Sequence, residues 1–341
     1  PRLFELSESL ENNYKKSLFW DIIPKMIEIK LPYLESHYPV LKRLDHSDRE
    51  VISWYAEKYN QFSCEFSFPS LYLWDEIYHY KLSFFNDWLI VFDIRYDYIL
   101  MPMGEDITLS GLLALSTTLK QDGYSGNISN VPPEIIERHS ELSHYYNIEN
   151  ERGLAEYIYS TEKLVALRGK KLSKKKNHIS QFLRKYPYYQ VKPMDSTAVR
   201  KDCLAMFEST LIENQTVSNC IREEAIVIRK GFESFDSVPL EGIAIYIEEV
   251  TESILVGFSV YSRLNKDIYT IHFEKVNYSY HGAAQIVNWE TAKVLKDKSR
   301  YINREQDLGI PGLRQAKLSY EPELIYPANL LRLKGLDTDV V

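Results

Sequence analysis

Ile268-Tyr269-Thr270-Ile271-His272-Phe273-Glu274 sets Tyr269, Ile271 and Phe273 against Thr270, His272 and Glu274, the period-two alternation of a strand with one buried face. Gly242 to Glu248 and Ile254 to Ser262 precede it as two more apolar runs, so three consecutive strands are predicted. A helix from about Gly282 to Leu295 comes next, and a short strand at Tyr301-Ile302 leads into the polar stretch Asn303-Arg304-Glu305-Gln306-Asp307. Ahead of the strands, Ile179, Phe182, Leu183 and Tyr186 share one face of a helix that Pro187 ends. Tyr188 to Pro193 then reads as extended, and helices follow over about 197–213 and 219–231. Helices, three antiparallel strands, a helix and a further strand make an α+β arrangement.

The first half follows the same order. Trp88 to Ile94 and Tyr98 to Met101 are short apolar runs about the polar turn Arg95 to Asp97, the pattern of a β-hairpin. Thr108 can cap a helix that carries Leu109, Leu112, Leu113, Ser116 and Leu119 and stops at Asp122-Gly123. Strands near Tyr145 to Ile148 and Ala155 to Tyr159 follow. Residues 1–60 read as helices broken at Leu31-Pro32 and Tyr38-Pro39, with Asp45 or Ser47 able to cap the last of them. A chain of 341 residues has room for two lobes, and we place them at 1–160 and 161–335. No residue-level internal repeat accompanies the repeated order of elements.

Hydrophobic residues make up 45% and charged residues 26%, globular proportions that exclude a disordered or fibrous chain. The 26 Tyr suit half-buried sheet faces and cleft walls, having an apolar ring and a polar tip. No run reaches the ~18 consecutive apolar residues of a membrane span, and no basic-then-apolar leader opens the chain, so a cytoplasmic protein is expected. The start at Pro1 rather than Met predicts a trimmed chain. Cys64, Cys203 and Cys220 are an odd number without CxxC spacing and read as reduced packing thiols. His139 and His144, five apart, do not stack on one helix face, and no metal site is predicted.

Three stretches carry a resemblance. Cys64-Glu65-Phe66-Ser67-Phe68 continues through Leu71-Tyr72-Leu73-Trp74, and Leu167 to Phe182 contains Lys174-Lys175-Lys176-Asn177-His178-Ile179. The third and most specific runs from Asn303-Arg304-Glu305-Gln306-Asp307-Leu308-Gly309 to Gly312-Leu313-Arg314 and Lys317-Leu318-Ser319-Tyr320-Glu321-Pro322. Together, over about 60 to 330, they resemble bacterial proteins built like the C-terminal catalytic domain of phosphatidylglycerol lysyltransferase. The resemblance implies a tandem GNAT-like (acyl-CoA N-acyltransferase) fold, two lobes with mixed and mainly antiparallel sheets flanked by helices. Relatives of that family, the aminoacyl-phosphatidylglycerol synthases and Fem peptidyltransferases, carry amino acids from aminoacyl-tRNA to a lipid headgroup or a cell-wall peptide. Acyl or aminoacyl transfer to an amine or hydroxyl is therefore implied. The donor candidates are aminoacyl-tRNA and acyl-CoA, and the acceptor candidates are a small molecule, a peptide and a lipid headgroup. The multi-span membrane region of a full lysyltransferase is not in this sequence, which weakens the case for a lipid. The alternatives are a non-catalytic binding module with an anion-binding groove and a CoA-dependent N-acyltransferase.

Residues 161–186 hold nine Lys or Arg and one acid, Glu162, a net of +8 in a chain whose total is −7. A helix starting near Ser173 puts Lys174, Lys175 and Lys176 in its first turn, where the macrodipole disfavours cations. Either this is a solvated basic face, or Lys170, Lys171, Lys174, Lys175, Lys176, Asn177 and His178 hold a phosphate-bearing donor such as tRNA or coenzyme A. GNAT enzymes cradle pyrophosphate on [RQ]-x-x-G-x-[GA]; Ser279-Tyr280-His281-Gly282-Ala283-Ala284 keeps Gly282 and Ala284 but lacks the leading Arg or Gln. Small residues there also let a helix start close to a sheet. The departure favours a donor other than acetyl-CoA. In the polar stretch, Glu305 or Asp307 can serve as base and Arg304 or Lys317 as oxyanion partners, with Tyr320 beside them. A buried organising network is the other role open to these residues. His272, among apolar neighbours, reads as a satisfied core histidine before a general base. No Ser or Cys sits in a recognisable nucleophile elbow.

Overall fold

The computed structural model describes residues 34 and 36–335, except 214–218 and 250–251. The helices and the Leu31-Pro32 break expected within 1–33 lie outside the described residues. In the first half β1 (Lys42–Arg43) precedes α1 (Arg49–Lys58) and α2 (Phe68–Tyr78). Asp45 opens the turn before α1, its carboxylate accepting from Ser47 N while Asp48 accepts from Asp45 N, and Ser67 caps α2 ahead of Pro69. Strands β2 (Lys81–Phe85), β3 (Trp88–Asp93) and β4 (Tyr98–Leu100) form an antiparallel meander, α3 (Leu109–Gln121) crosses over, and β5 (Asn127–Val131) lies parallel to β4. The expected hairpin is β3 with β4, and Thr108 caps α3 by accepting from Gly111 N at 3.1 Å. α4 (Pro133–Arg138) and α5 (Leu142–Tyr145) lead to β6 (Tyr146–Asn150).

The chain then enters a second sheet with β7 (Glu156–Ser160), followed by α6 (Thr161–Ala166), α7 (Ser173–Lys185), β8 (Gln190–Pro193), α8 (Thr197–Glu213) and α9 (Asn219–Glu233). The same unit recurs: β9 (Glu241–Glu248), β10 (Ser253–Arg263) and β11 (Ile268–Val276) form a meander, α10 (Ala283–Leu295) crosses over, and β12 (Tyr301–Gln306) lies parallel to β11. α11 (Pro311–Leu318) and β13 (Leu324–Tyr326) follow, and β14 (Asn329–Leu333) returns to the first sheet. The strand orders are β1-β2-β3-β4-β5-β14-β6 and β13-β7-β12-β11-β10-β9-β8. Among the described residues every strand pair is antiparallel except β4/β5 and β11/β12, which need helical crossovers because parallel neighbours cannot be joined by a tight turn.

A large apolar cluster joins the halves, packing Leu71 and Leu73 of α2 and Ile99 and Ile128 of the first sheet with Val227 and Ile228 of α9 and Phe258 and Phe273 of the second. α10 sits on the second sheet through Ile286 and Val287 against Ile243, Ile245, Val256 and Val276. Two local expectations are corrected. The strand begun at Tyr301 does not stop at Ile302 but runs to Gln306, because Asn303 and Gln306 find polar partners inside the protein. The alternation of β11 is also interrupted: Ile271 opposes Tyr261 and Phe273 opposes Val260, so a bulge leaves His272 unopposed and sends Ile271 and Phe273 into different apolar clusters. Cys64 and Cys203 are packed, whereas Cys220 is exposed on α9. Among the described residues no helix is long and apolar enough to cross a membrane.

Candidate functional site

β11 and β12 are paired only from Ile268/Tyr301 to Thr270/Asn303; beyond that point side chains alone bridge them. His272 Nδ1 lies 3.2 Å from Glu305 Oε1, and Arg304 donates to Glu274 Oε1 at 2.8 Å. Glu305 adopts a left-handed backbone (φ +57), a conformation that costs a non-glycine residue ~1–3 kcal/mol. Two contacts hold it there: Glu305 N donates to Asn303 Oδ1 at 2.7 Å, and Lys317 Nζ donates to the Glu305 carbonyl at 3.0 Å.

Glu305 belongs to a group of acids that the first half of the chain helps to build. Glu156 on β7 is buried and accepts from Ser63 Oγ, Cys64 N (2.9 Å) and Asn303 Nδ2. Gln306 Nε2 donates to Glu65 Oε1 at 3.1 Å and meets Cys64 Sγ at 3.3 Å. Burial pushes the Glu65 carboxyl up to about 8, with Glu156 and Glu305 adding to it. Burial likewise raises Glu156 to about 7 against the hydrogen bonds that favour its charge. Burial and mutual repulsion thus favour the protonated forms of Glu65 and Glu156.

Arg304 faces different company. Tyr320 is buried with the Arg304 guanidinium 5.1 Å and Lys175 Nζ 4.4 Å from its ring centroid, so the aromatic face links β12 to the basic helix. Burial pushes the Tyr320 hydroxyl up to about 12. Lys175 is brought down by burial and then by Arg304 and Lys174. Lys317, almost fully buried on α11, is brought down to about 8 by burial and then by Arg304; its ammonium also donates to the Arg304 carbonyl.

Asp307 stands apart. Its fully buried carboxylate accepts from Arg314 Nε (2.7 Å) and Nη2 (2.9 Å), Tyr157 Oη (2.6 Å), Arg152 Nη1 (3.2 Å) and Gly309 N (2.8 Å). The Arg314 hydrogen bonds hold it well below the usual carboxylate range. This arrangement fixes the turn from β12 to α11 and leaves the carboxylate saturated.

Of the basic segment, Lys170, Lys174, Lys176 and Asn177 are exposed. Two other lysines of the segment have partners: exposed Lys171 pairs with Glu321 at 2.9 Å, and Lys175 is half-buried against Tyr320. His178 Nδ1 lies 2.9 Å from His281 Nε2. Gly282 (φ +88) caps α10, and a Cβ there would come within 2.9 Å of the His178 carbonyl oxygen. α7 therefore rests on the start of α10, with Ala284 in the first turn partly buried against it. Lys175 of the basic helix and Arg304 of the polar stretch thus share the Tyr320 ring. Glu65, Glu156, Glu274 and Ser262 were not singled out from sequence; the signal for Glu156 is a carboxylate inside the apolar run Ala155 to Tyr159.

Two three-stranded meanders, each closed through a crossover helix onto a parallel strand, define a tandem GNAT-like acyltransferase fold. Residues 56–328 match the family described as phosphatidylglycerol lysyltransferase, C-terminal, and the chain belongs to that family. A conserved protein of unknown function from Bacteroides thetaiotaomicron has the same architecture, with a TM-score of 0.78 at 26% identity over 86% of this chain and 99% of that one. The C-terminal domain of a candidate lysylphosphatidylglycerol synthetase from Agrobacterium fabrum shares the fold at 9% identity, with a TM-score of 0.58 over 85% of this chain and 93% of that one. An uncharacterized protein of Mycoplasmoides gallisepticum is 24% identical over 177 residues, 52% of this chain. The chain spans 56% of the length of that curated relative.

Proposed function

We propose that the chain transfers an aminoacyl or other acyl group from a phosphate-bearing carrier, aminoacyl-tRNA foremost, to an amine or hydroxyl while both substrates are bound. The observation that carries this is the side-chain cluster where the pairing of β11 and β12 ends, with Glu305 among carboxyls and Arg304, Tyr320 and Lys175 forming a cationic and aromatic group. The acceptor's nitrogen or oxygen attacks the acyl carbon as Glu305 takes its proton, and the carbonyl electron pair moves onto oxygen, where Lys317 and Arg304 supply positive charge. Collapse of the tetrahedral intermediate breaks the bond to the carrier's oxygen, which leaves with the bonding pair and takes the proton back from Glu305.

Asp307 fits an organising role in this scheme, since both its oxygens are already engaged. Tyr320 fits a platform for the donor. Lys170, Lys171, Lys174, Lys175 and Lys176, with Asn177 and His178, suit the carrier's phosphates. The close seat of α7 on Gly282 argues against a pyrophosphate at the start of α10, and so against acetyl-CoA. The family name adds a lipid headgroup to the acceptors to be tried.

The test mixes purified chain with labelled aminoacyl-tRNA and either a primary amine or phosphatidylglycerol vesicles. Transfer is expected, and Glu305→Gln should slow it by about 100-fold. Acylation from acetyl-CoA at micromolar affinity would reassign the donor, and tight tRNA binding without transfer would make the chain a binding module.

A further inference from the structure

Behind Glu305 a line of hydrogen bonds runs into the sheet. His272 Nδ1 is 3.2 Å from Glu305 Oε1, and His272 Nε2 is 2.7 Å from Ser262 Oγ. Exposure falls along this line, from 21% for the Glu305 side chain to 3% for His272 and 0% for Ser262. Only the carboxylate end can meet a substrate, so Ser262 is no nucleophile despite having the partners of one.

We propose that Ser262 and His272 are positioning residues that hold Glu305 as the proton acceptor, a role that rests on the acyl-transfer function proposed above. The backbone is arranged for this contact. The bulge in β11 leaves His272 without a partner across the sheet, and the end of pairing at Thr270/Asn303 makes room for its ring to reach β12. On the facing strand, the left-handed turn at Glu305 is held by Asn303 and Lys317. The titratable groups around the carboxylate are Cys64 and Glu65 on the 64–66 turn, Glu156 on β7 and Lys317 on α11.

A fixed line of this kind fixes a tautomer. A carboxylate can only accept, so the neutral ring must carry its proton on Nδ1 and present the Nε2 lone pair to the Ser262 hydroxyl. One Glu305 oxygen is then occupied by the ring, and the other is left aimed at the acceptor. In transfer the acceptor's proton goes to that free oxygen, while the ring keeps its own proton throughout. His272 is therefore no general base, and removing Ser262 loosens the ring without touching the reacting atoms.

Nitrogen and carbon shifts of the His272 ring, assigned through its own backbone amide in the unaltered chain, read the tautomer directly. At about pH 8 the Nδ1–H form is expected. Ser262→Ala should move the ring toward a mixture of tautomers while the circular dichroism stays the same. With aminoacyl-tRNA as donor, Ser262→Ala should lower kcat by about tenfold and change KM by less than about twofold. A wild-type ring in the Nε2–H form, or a ring unmoved by Ser262→Ala, overturns the relay. The Nδ1–H ring in a protein that transfers nothing from any donor would uphold the hydrogen-bonded line and sink the acyl-transfer function, and with it the task given to Glu305.

Discussion

β4 with β5 and β11 with β12 are the parallel pairs of the two sheets, each closing a three-stranded meander through one crossover helix. Both ladders register three residue pairs, Tyr98/Asn127 to Leu100/Ser129 in the first and Ile268/Tyr301 to Thr270/Asn303 in the second, and Met101 N closes the last pair of the first on the Ser129 carbonyl at 2.8 Å. Ile99, Leu100, Met101, Ile128 and Val131 all lie in the main apolar cluster. In the second, pairing stops at Thr270/Asn303, and the next positions on β12 are Arg304, Glu305 and Gln306. Charged groups lose hydration when strands close over them, and they remain only where other charges and hydrogen bonds replace the water. One topology thus has two surroundings: past the first pair the strands carry apolar side chains of the core, and past the second they carry charged side chains that bridge to one another.

The largest expected effect lies in the first pair, whose side chains fill the apolar core. Ile128→Ala leaves a cavity in a filled core and should cost about 4 kcal/mol by thermal or denaturant unfolding, with no change in donor binding at temperatures where the variant is folded. Weakened donor binding by a folded Ile128→Ala would mean that the first pair also belongs to the site.

Asp307→Ala should cost about 3 kcal/mol, because it strips a fully buried carboxylate from two arginines that keep some access to water. The sign of the pH effect follows from the depressed carboxyl. Its stabilisation is complete above about pH 5 and fades as acid protonates the group below the ordinary carboxyl range of about 4. Acid unfolding curves of wild type and Asp307→Asn should therefore converge at low pH; parallel curves would show that Asp307 contributes no charge-dependent stability.

Glu65→Gln should have the opposite sign. A carboxyl raised to about 8 in the folded protein binds a proton that the unfolded chain has released, so stability declines as pH rises from about 4.5 to 8. Glutamine cannot ionise and its carbonyl can still accept from Gln306, so the variant should be about 2 kcal/mol more stable than wild type near pH 8 and equal to it near pH 4. A variant less stable at both pH values would mean that the acidic group is neutralised by something other than protonation.

The smallest effect on stability, about 1 kcal/mol, is expected for Lys174→Ala with Lys175→Ala, since Lys174 is exposed and Lys175 gives up only its half-buried contact with the Tyr320 ring. Their loss should instead flatten the dependence of tRNA binding on salt, by about one to two in log–log slope. An unchanged slope would reduce the basic helix to a solvated face.

Much of the fold was legible because its signals are local. The turn at Arg95 to Asp97, the Thr108 cap and the alternation in β11 each need fewer than a dozen neighbouring residues, and together they gave the order of elements in both halves. The site was legible only in part, because its contacts are distant. Gln306 meets Cys64 across 242 positions, and Asn303 meets Glu156 across 147. Without those partners Asn303 to Gln306 looks like a loop, since four polar residues in a row make no strand pattern. The bulge at His272 also escaped, because strict alternation hides an extra residue that only the partner strand reveals. Asp307 could not be told from Glu305 in the sequence, since the arginines that saturate it come from α11 and from Arg152.

The proposed transfer puts the acyl group where the pairing of β11 and β12 ends. A crystal structure with a 3′-terminal adenosine carrying its amino acid through a stable amide would show whether it sits there. The amide carbonyl is expected beside Lys317 and Arg304, the adenosine and phosphate toward Tyr320 and Lys175, and one Glu305 oxygen facing the amino-acid side. Density for the mimic at β4/β5, or lodged only on the outer face of α7 with β11 and β12 untouched, would contradict it.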